Sequence, residues 1–138
     1  RELVELRREL EGYAGYLAAQ RITTAQLENL RTMMRAEKTE TAETKDVSNI
    51  TEYFDTRFHS LLYQAAGNQK LVKILQDLHI VMLRIWFHVG FGAIGFIHQA
   101  QNFYKVFEAL AQKEPENART AMEDHVDIYA AQIKEKFL

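Results

Sequence analysis

Apolar residues recur along most of the chain at the three- and four-residue spacing of amphipathic helices. The stripes predict helices over residues 3–19, from 24 onward, and over 47–66, 70–89, 96–112 and 115–137. No stretch of any length alternates with the two-residue period of a strand. The pattern therefore predicts an all-α fold, an antiparallel bundle of about six helices.

Helix ends carry local signals. Thr24 is a typical N-cap for the second helix, and Gly67 is a typical C-terminal glycine for the third. Pro115 suits the first turn of the sixth. Residues 37–45 have no apolar periodicity and are predicted to be a frayed end and a loop, while Gly90 to Gly95 is predicted to be a break.

The third helix carries an acid and an imidazole on one face. Asp55 and His59 are four residues apart beside the apolar stripe, so both side chains are expected to point toward the interior. Such a pair can ligate one metal ion or form a structural hydrogen bond, and the spacing alone favours the structural pair. His125 lies on the apolar stripe of the sixth helix and is a candidate companion.

Two arginines have both a structural and a functional interpretation. Arg7 is four residues from Glu11, which favours a surface or boundary ion pair over an arginine that reaches an interior cavity. Arg84 lies on the fourth helix, which is apolar on more than one side and is expected to be buried on all of them. A buried Arg84 would need a protein carboxylate or an anionic ligand.

The second apolar side of this helix suggests contact with a partner subunit, and hence a homodimer. Residues 80–97 are nearly all apolar, but Arg84, His88 and three glycines favour a buried helix and a turn over a membrane span.

Composition narrows the class of protein. The chain has 138 residues, 47% of them hydrophobic, a net charge of −2 and no cysteine. These values fit one folded domain over residues 1–138 in the cytoplasm, and they disfavour a disordered segment, a nucleic-acid-binding surface and a thiolate metal site. Because the chain starts at Arg1 and enters a helix almost at once, we expect it to be part of a longer protein.

Three segments resemble the FCD domain, the C-terminal ligand-sensing domain of the FadR subfamily of GntR-type transcriptional regulators. They are residues 5–11 with 17–19, Asp55-x-x-Phe58-His59 with 66–68 and Leu71, and residues 108–110 with Ala118, 121–122 and 125–126. The resemblance implies a helical bundle around a cavity, in which a divalent metal held by one Asp and three His anchors a small carboxylate effector. It also implies a dimer and a preceding winged-helix domain that binds DNA.

Asp55, His59 and His125 match three of the family's metal ligands, and zinc or nickel is expected. The remaining His position holds Phe103, and His98 lies five residues earlier. Three alternatives follow: a site with three protein ligands, a shifted fifth helix that brings in His98, or a metal-free pocket that Phe103 lines.

Arg7 and Arg84 are candidates for binding the effector carboxylate, and Phe103 for contacting the rest of the effector. A sensor of this kind has no catalytic residues. The alternatives are a metal-dependent enzyme on a helical bundle and a plain helical dimerisation module.

Overall fold

The computed structural model confirms the all-α prediction and describes residues 1–43, 47–89 and 93–137. Side chains are described for these residues except 37–52, 86–87, 89–98 and 137. The helices are α1 (Glu2–Arg21), α2 (Thr24–Glu43), α3 (Val47–Ala66), α4 (Gln69–Val89), α5 (Ala93–Ala111) and α6 (Pro115–Phe137).

The first helix is the centre of the bundle. It packs along α6 and α3 and also contacts α4 and α5. Gly12 and Gly15 face α6, and a methyl group added at Gly15 would lie 2.8 Å from the carbonyl oxygen of Ala118. The two helices therefore approach each other closely because α1 carries no side chain at this point.

Local capping explains several helix ends. The N-cap of α2 is Thr23 rather than the predicted Thr24. The Thr23 hydroxyl accepts a hydrogen bond from the backbone N–H of Gln26, and the side-chain oxygen of Gln26 accepts one from the backbone N–H of Thr23. This reciprocal pair is a capping box. Gly67 follows α3 with a φ of 68°, as a C-terminal glycine should, and the Asn68 side chain caps the start of α4.

Two predicted boundaries were wrong. The α2 backbone remains helical to Glu43, although residues 37–43 lack an apolar stripe. The predicted break from Gly90 to Gly95 extended too far, since residues 93–95 belong to α5; residues 90–92 lie outside the described part. Apolar periodicity indicates that one face of a helix is buried. A helix can extend beyond the apolar stripe as long as its backbone hydrogen bonds continue.

The core joins all six helices, and α4 contributes Leu71 and Leu75 from its first half. At its centre Phe58 stacks on Phe103 with ring centroids 4.1 Å apart, and Phe54 meets Phe103 edge-on at 5.4 Å. All three rings are buried. Phe58 and Phe103 also contact the ring of His59, so aromatic side chains cover one side of this buried histidine.

The fourth helix is buried on one side only. Leu71, Leu75 and Met82 face the interior. Its outer side exposes large apolar residues that no other helix of this chain covers: Ile74, Ile80 and Val81. The expectation that a partner subunit covers this side stays a prediction. Among the described residues, no helix is long and apolar enough to cross a membrane.

Candidate metal and effector site

Three side chains from α3 and α4 converge at one point. Asp55, His59 and His79 each offer a ligand atom, and these atoms lie within 4.8 Å of one another. His79 Nε2 is 3.0 Å from Asp55 Oδ2, and His59 Nδ1 is 3.6 Å from the same oxygen. Both imidazoles are buried, and the Asp55 side chain is 16% exposed. The cluster therefore joins two helices through a carboxylate and two imidazoles.

The helix itself orients His59. Its Nδ1 lies 2.8 Å from the backbone carbonyl oxygen of Asp55, one turn earlier in α3. Because a carbonyl oxygen only accepts hydrogen bonds, Nδ1 carries the proton of the neutral ring and Nε2 keeps a lone pair. A hydrogen bond from one ring nitrogen to a backbone carbonyl is the usual way in which a metal-binding histidine is held in place.

The surroundings favour an ionised Asp55 and lower the pKa of two of the buried histidines, His59 and His125. Burial would raise the pKa of Asp55, but the adjacent His59 and His79 hold that pKa below its usual value. Burial lowers the pKa of His59 despite the opposing effect of Asp55. Burial, together with His59 and Arg7, lowers the pKa of His125 well below its usual value. A carboxylate beside neutral imidazoles is the protonation state that metal binding requires.

His125 and Phe103 lie next to the cluster. The His125 ring is 5.0 Å from the His59 ring and 4.7 Å from the Phe103 ring, measured between centroids. His125 is buried, yet it is not one of the three residues whose ligand atoms group most tightly. Phe103 fills the space on this side, so its aromatic ring lies where the resemblance leads one to expect a histidine.

A buried ion pair extends the site into α1. Arg7 Nε is 3.5 Å from Glu11 Oε1, and both side chains are almost completely buried. The Tyr63 hydroxyl donates to Glu11 Oε1 at 2.5 Å, and Glu11 Oε1 lies 4.0 Å from His59 Nε2. The prediction of a surface or boundary pair was therefore wrong. An i, i+4 ion pair looks the same in sequence whether it faces solvent or the core.

The Arg7 guanidinium keeps unused donors. Arg7 Nε and Nη1 are buried and have no hydrogen-bond partner among the described residues. The guanidinium carbon lies 5.4 Å from the centre of the Tyr129 ring, and the Tyr129 hydroxyl donates to the carbonyl oxygen of Met82 at 2.8 Å. A buried cation with free N–H groups is a strong binding point for an anion.

A cavity of about 30 Å³ connects these groups. Its lining includes Arg7, Asp55, His79, Phe103 and His125, and also Phe54, Met82, Leu83, Gln99 and Tyr129. By volume it has room for roughly one or two water molecules. The cavity therefore has a cationic donor in one part of its lining and the carboxylate–imidazole cluster in another, with aromatic rings between them.

The sequence-predicted site residues had different outcomes. Four of them line one cavity: Arg7, Asp55, Phe103 and His125. His59 lies next to this cavity, in contact with Asp55 and His125. Arg84 is exposed and does not line the cavity, so the expectation that it faces the interior was wrong. The His98 side chain is outside the described part, and so is the proposal that a shifted fifth helix brings it in.

Sequence reasoning missed His79. A signal existed, since His79 continues the buried series Leu71, Leu75 and Met82 at helical spacing. The helix period shows that His79 faces inward, but it does not show which turn of α3 this turn of α4 meets. That contact depends on tertiary packing.

The residues present fit a divalent transition metal. One carboxylate and two neutral imidazoles are suitable ligands for zinc or nickel. Three imidazole nitrogens are buried without a hydrogen-bond partner in the described part of the chain: His59 Nε2, His79 Nδ1 and His125 Nδ1. Buried polar atoms are normally paired, so these nitrogens are consistent with a site that ligates an ion.

The model of the FCD domain family matches residues 2–128 of the chain. The chain belongs to the FCD family. Among solved structures, it is similar to McbR/YncC of E. coli, with a TM-score of 0.77 and 19% sequence identity. The match covers 97% of this chain and 67% of that one, and at this identity it supports the fold alone. No curated protein sequence matches the chain.

Membership of the family carries a functional assignment. FCD domains are the effector-sensing domains of GntR-type transcriptional regulators, and this chain is such a regulatory domain. The FCD domains of these regulators are sensing domains and not enzymes. The family assignment confirms the resemblance seen in the three sequence segments.

Proposed function

We propose that the chain senses a small organic acid in the cavity between Arg7 and the cluster of Asp55, His59 and His79. The observation that carries this proposal is the pairing of a buried guanidinium that has unused donors with a set of metal-binding side chains around one cavity. A carboxylate is the ligand that complements both ends, because it accepts two hydrogen bonds from an arginine and also coordinates metals.

Asp55, His59 and His79 would hold the metal ion, zinc or nickel, and His125 is a neighbouring imidazole. When bound, the ion would supply a positive centre that attracts effector oxygens. The chain's own residues would provide the remaining recognition: Arg7 orients the carboxylate, and Phe103 limits the room beside it. Because the cavity of about 30 Å³ has room for only about one or two water molecules, even a short acid would have to displace side chains of the lining, and bulky acids are disfavoured.

The regulator would act as a homodimer with a winged-helix domain that precedes residue 1, in the cytoplasm. Arg7 lies on α1, the first helix, so effector binding acts on the helix nearest to that domain. A shift between DNA-binding and released states requires an effector that binds the two states with different affinity. No turnover is needed, and the metalloenzyme alternative has no specific observation in its favour. The plain dimerisation module does not account for the buried polar cavity.

Calorimetric titration tests the proposal. A panel of short carboxylates, from acetate to hydroxy acids and small dicarboxylates, is titrated into zinc-loaded and chelator-treated protein. At least one acid should bind the zinc-loaded protein and bind the chelated protein much more weakly. The absence of binding by every acid, or equal binding without metal, would contradict the proposal.

Variants of Arg7 sharpen the titration. Arg7→Lys keeps the charge but loses the planar fork of donors, and we expect affinity to fall about 10- to 100-fold. The double variant Arg7→Met, Glu11→Gln removes both buried charges together, which avoids an unpaired Glu11. Arg57→Met is the matched control, because Arg57 is exposed on α3 and its loss changes the net charge equally.

A further inference from the structure

Half of the most exposed large apolar side chains in the described part of the chain lie on one face of α4. Ile74 is 49% exposed, Ile80 48% and Val81 41%. On a helix with 3.6 residues per turn, Ile74 and Val81 lie about 20° apart and Ile80 lies about 100° from Val81, so the three side chains span an arc of about 120°. Contiguous exposed apolar side chains commonly mark a protein–protein contact, whereas isolated ones do not.

Two opposite charges lie on the same face. Asp77 and Arg84 are both exposed and are seven residues apart, about 10.5 Å along the helix axis. Neither has an ion-pair partner in the described part of the chain. The midpoint between them falls between Ile80 and Val81. Along the helix, this face therefore carries an acidic residue, then two apolar residues, then a basic residue.

This order is self-complementary. If two copies of α4 cross antiparallel with a two-fold axis between Ile80 and Val81, position n on one copy faces position 161 − n on the other. Asp77 then faces the partner's Arg84, and Ile80 faces the partner's Val81. Symmetry repeats each contact, so the interface has two ion pairs around an apolar centre. A parallel arrangement would instead place Asp77 against the partner's Asp77.

We propose that the outer face of α4, formed by Ile74, Asp77, Ile80, Val81 and Arg84, is the surface through which two copies of this chain pair antiparallel. The inference rests on the proposed homodimer and names its contact surface. It also explains why a charged residue at position 84 belongs on this helix although it does not line the cavity. One helix face is a small surface beside the roughly 1,000 Å² of a stable interface, so this contact makes a weak, reversible dimer.

Charge exchange provides the test, measured by sedimentation velocity over a wide concentration range. Asp77→Arg places like charges against the partner's Arg84 at both symmetry-related contacts, and Arg84→Asp does the same with the opposite sign. Each single variant should dimerise about tenfold or more weakly than the parent. The double variant Asp77→Arg, Arg84→Asp should recover the parent dissociation constant.

A mixture of the two single variants tests the antiparallel pairing more directly. In a mixed pair both contacts become opposite charges again, so the mixture should dimerise more tightly than either variant alone. Glu108→Arg is the control: Glu108 is exposed on α5, and its reversal should leave dimerisation unchanged. Circular dichroism establishes that each variant is folded.

The outcomes separate the two claims. A parent that remains monomeric at every concentration would overturn the homodimer and this interface together. A dimeric parent whose association is unchanged by both single exchanges would overturn the interface alone. Failure of the folded double variant and of the mixture to recover association would overturn the antiparallel pairing.

Discussion

Arg7 and Glu11 lie one helical turn apart in the interior of the protein. The loss of hydration on burial commonly offsets the attraction within such a pair, so the pair is weak grounds for stability. The Tyr63 hydroxyl donates to Glu11, and the aromatic face of Tyr129 lies against Arg7. These two contacts replace only part of the hydration that the two charged groups lose on burial. A role in binding therefore explains the unused Arg7 donors better than a role in folding.

The hydrogen bond from Tyr63 to Glu11 has a measurable consequence. Tyr63→Phe leaves a buried carboxylate oxygen without its donor, and we expect the free energy of unfolding to fall by about 1–3 kcal/mol. Tyr53→Phe is the control, since Tyr53 is 61% exposed, and it should change stability by less than about 0.5 kcal/mol. Urea denaturation of both variants checks this. Equal stability of Tyr63→Phe and the parent would show that Glu11 has another adequate partner.

Phe103 is the aromatic residue that packs against both the core rings and His125. Truncation by Phe103→Ala removes buried ring contacts and leaves a cavity, so the free energy of unfolding should fall by about 3–5 kcal/mol. Chemical denaturation measures the change, with Tyr53→Ala as an exposed comparison. A loss below about 1 kcal/mol would mean that the surrounding side chains collapse into the space.

A contact in the site could be predicted from sequence when its residues lie within one helix, and not when they lie on different helices. Asp55 and His59 lie within one helix, so their common face follows from the helix period. His79 joins them only through the packing of α4 on α3, which no spacing along the chain encodes. The burial of Arg7 was missed for the same reason, since α1 is covered by other helices. Arg84 was misplaced because a helix apolar on several sides has no unique inner face.

The helices themselves were more predictable than their contacts. Apolar periodicity gave six segments close to the observed ones, and Gly67 and Pro115 gave ends that follow from backbone preferences. The errors fall where periodicity is absent, in the second half of α2, and where glycines suggested a longer break before α5. Local sequence determines these elements, while the register between them depends on side-chain packing.

The close approach of α1 and α6 yields a paired prediction. Gly15→Ala would bring a methyl group 2.8 Å from the Ala118 carbonyl oxygen, so the helices must move apart. We expect the free energy of unfolding to fall by about 1–3 kcal/mol, although alanine has the higher helix propensity. Gly12→Ala meets mainly the Glu123 and Arg119 side chains, which can shift, and should cost clearly less. Thermal or urea unfolding compares the two, and an equal effect would contradict the backbone contact.

At the scale of the whole molecule, α4 is the element shared by both proposed contacts. His79 on its inner side belongs to the proposed metal site, and Asp77 and Arg84 on its outer side belong to the proposed dimer contact. Arg7 connects the same cavity to α1. Effector binding would therefore act on two helices that lead toward the rest of the regulator, one toward the partner and one toward the preceding domain.

The measurement that tests the central claim most directly is the metal content of the purified protein after incubation with zinc or nickel and dialysis. The parent should retain about one ion per chain, and the double variant Asp55→Ala, His59→Ala should retain none. His79→Ala should lose most of the metal, because it removes the only described ligand candidate on the inner side of α4. His88→Ala, which alters an exposed histidine of the same helix, should retain it. A parent without metal, or a His79→Ala variant that retains metal as well as His88→Ala does, would contradict the account.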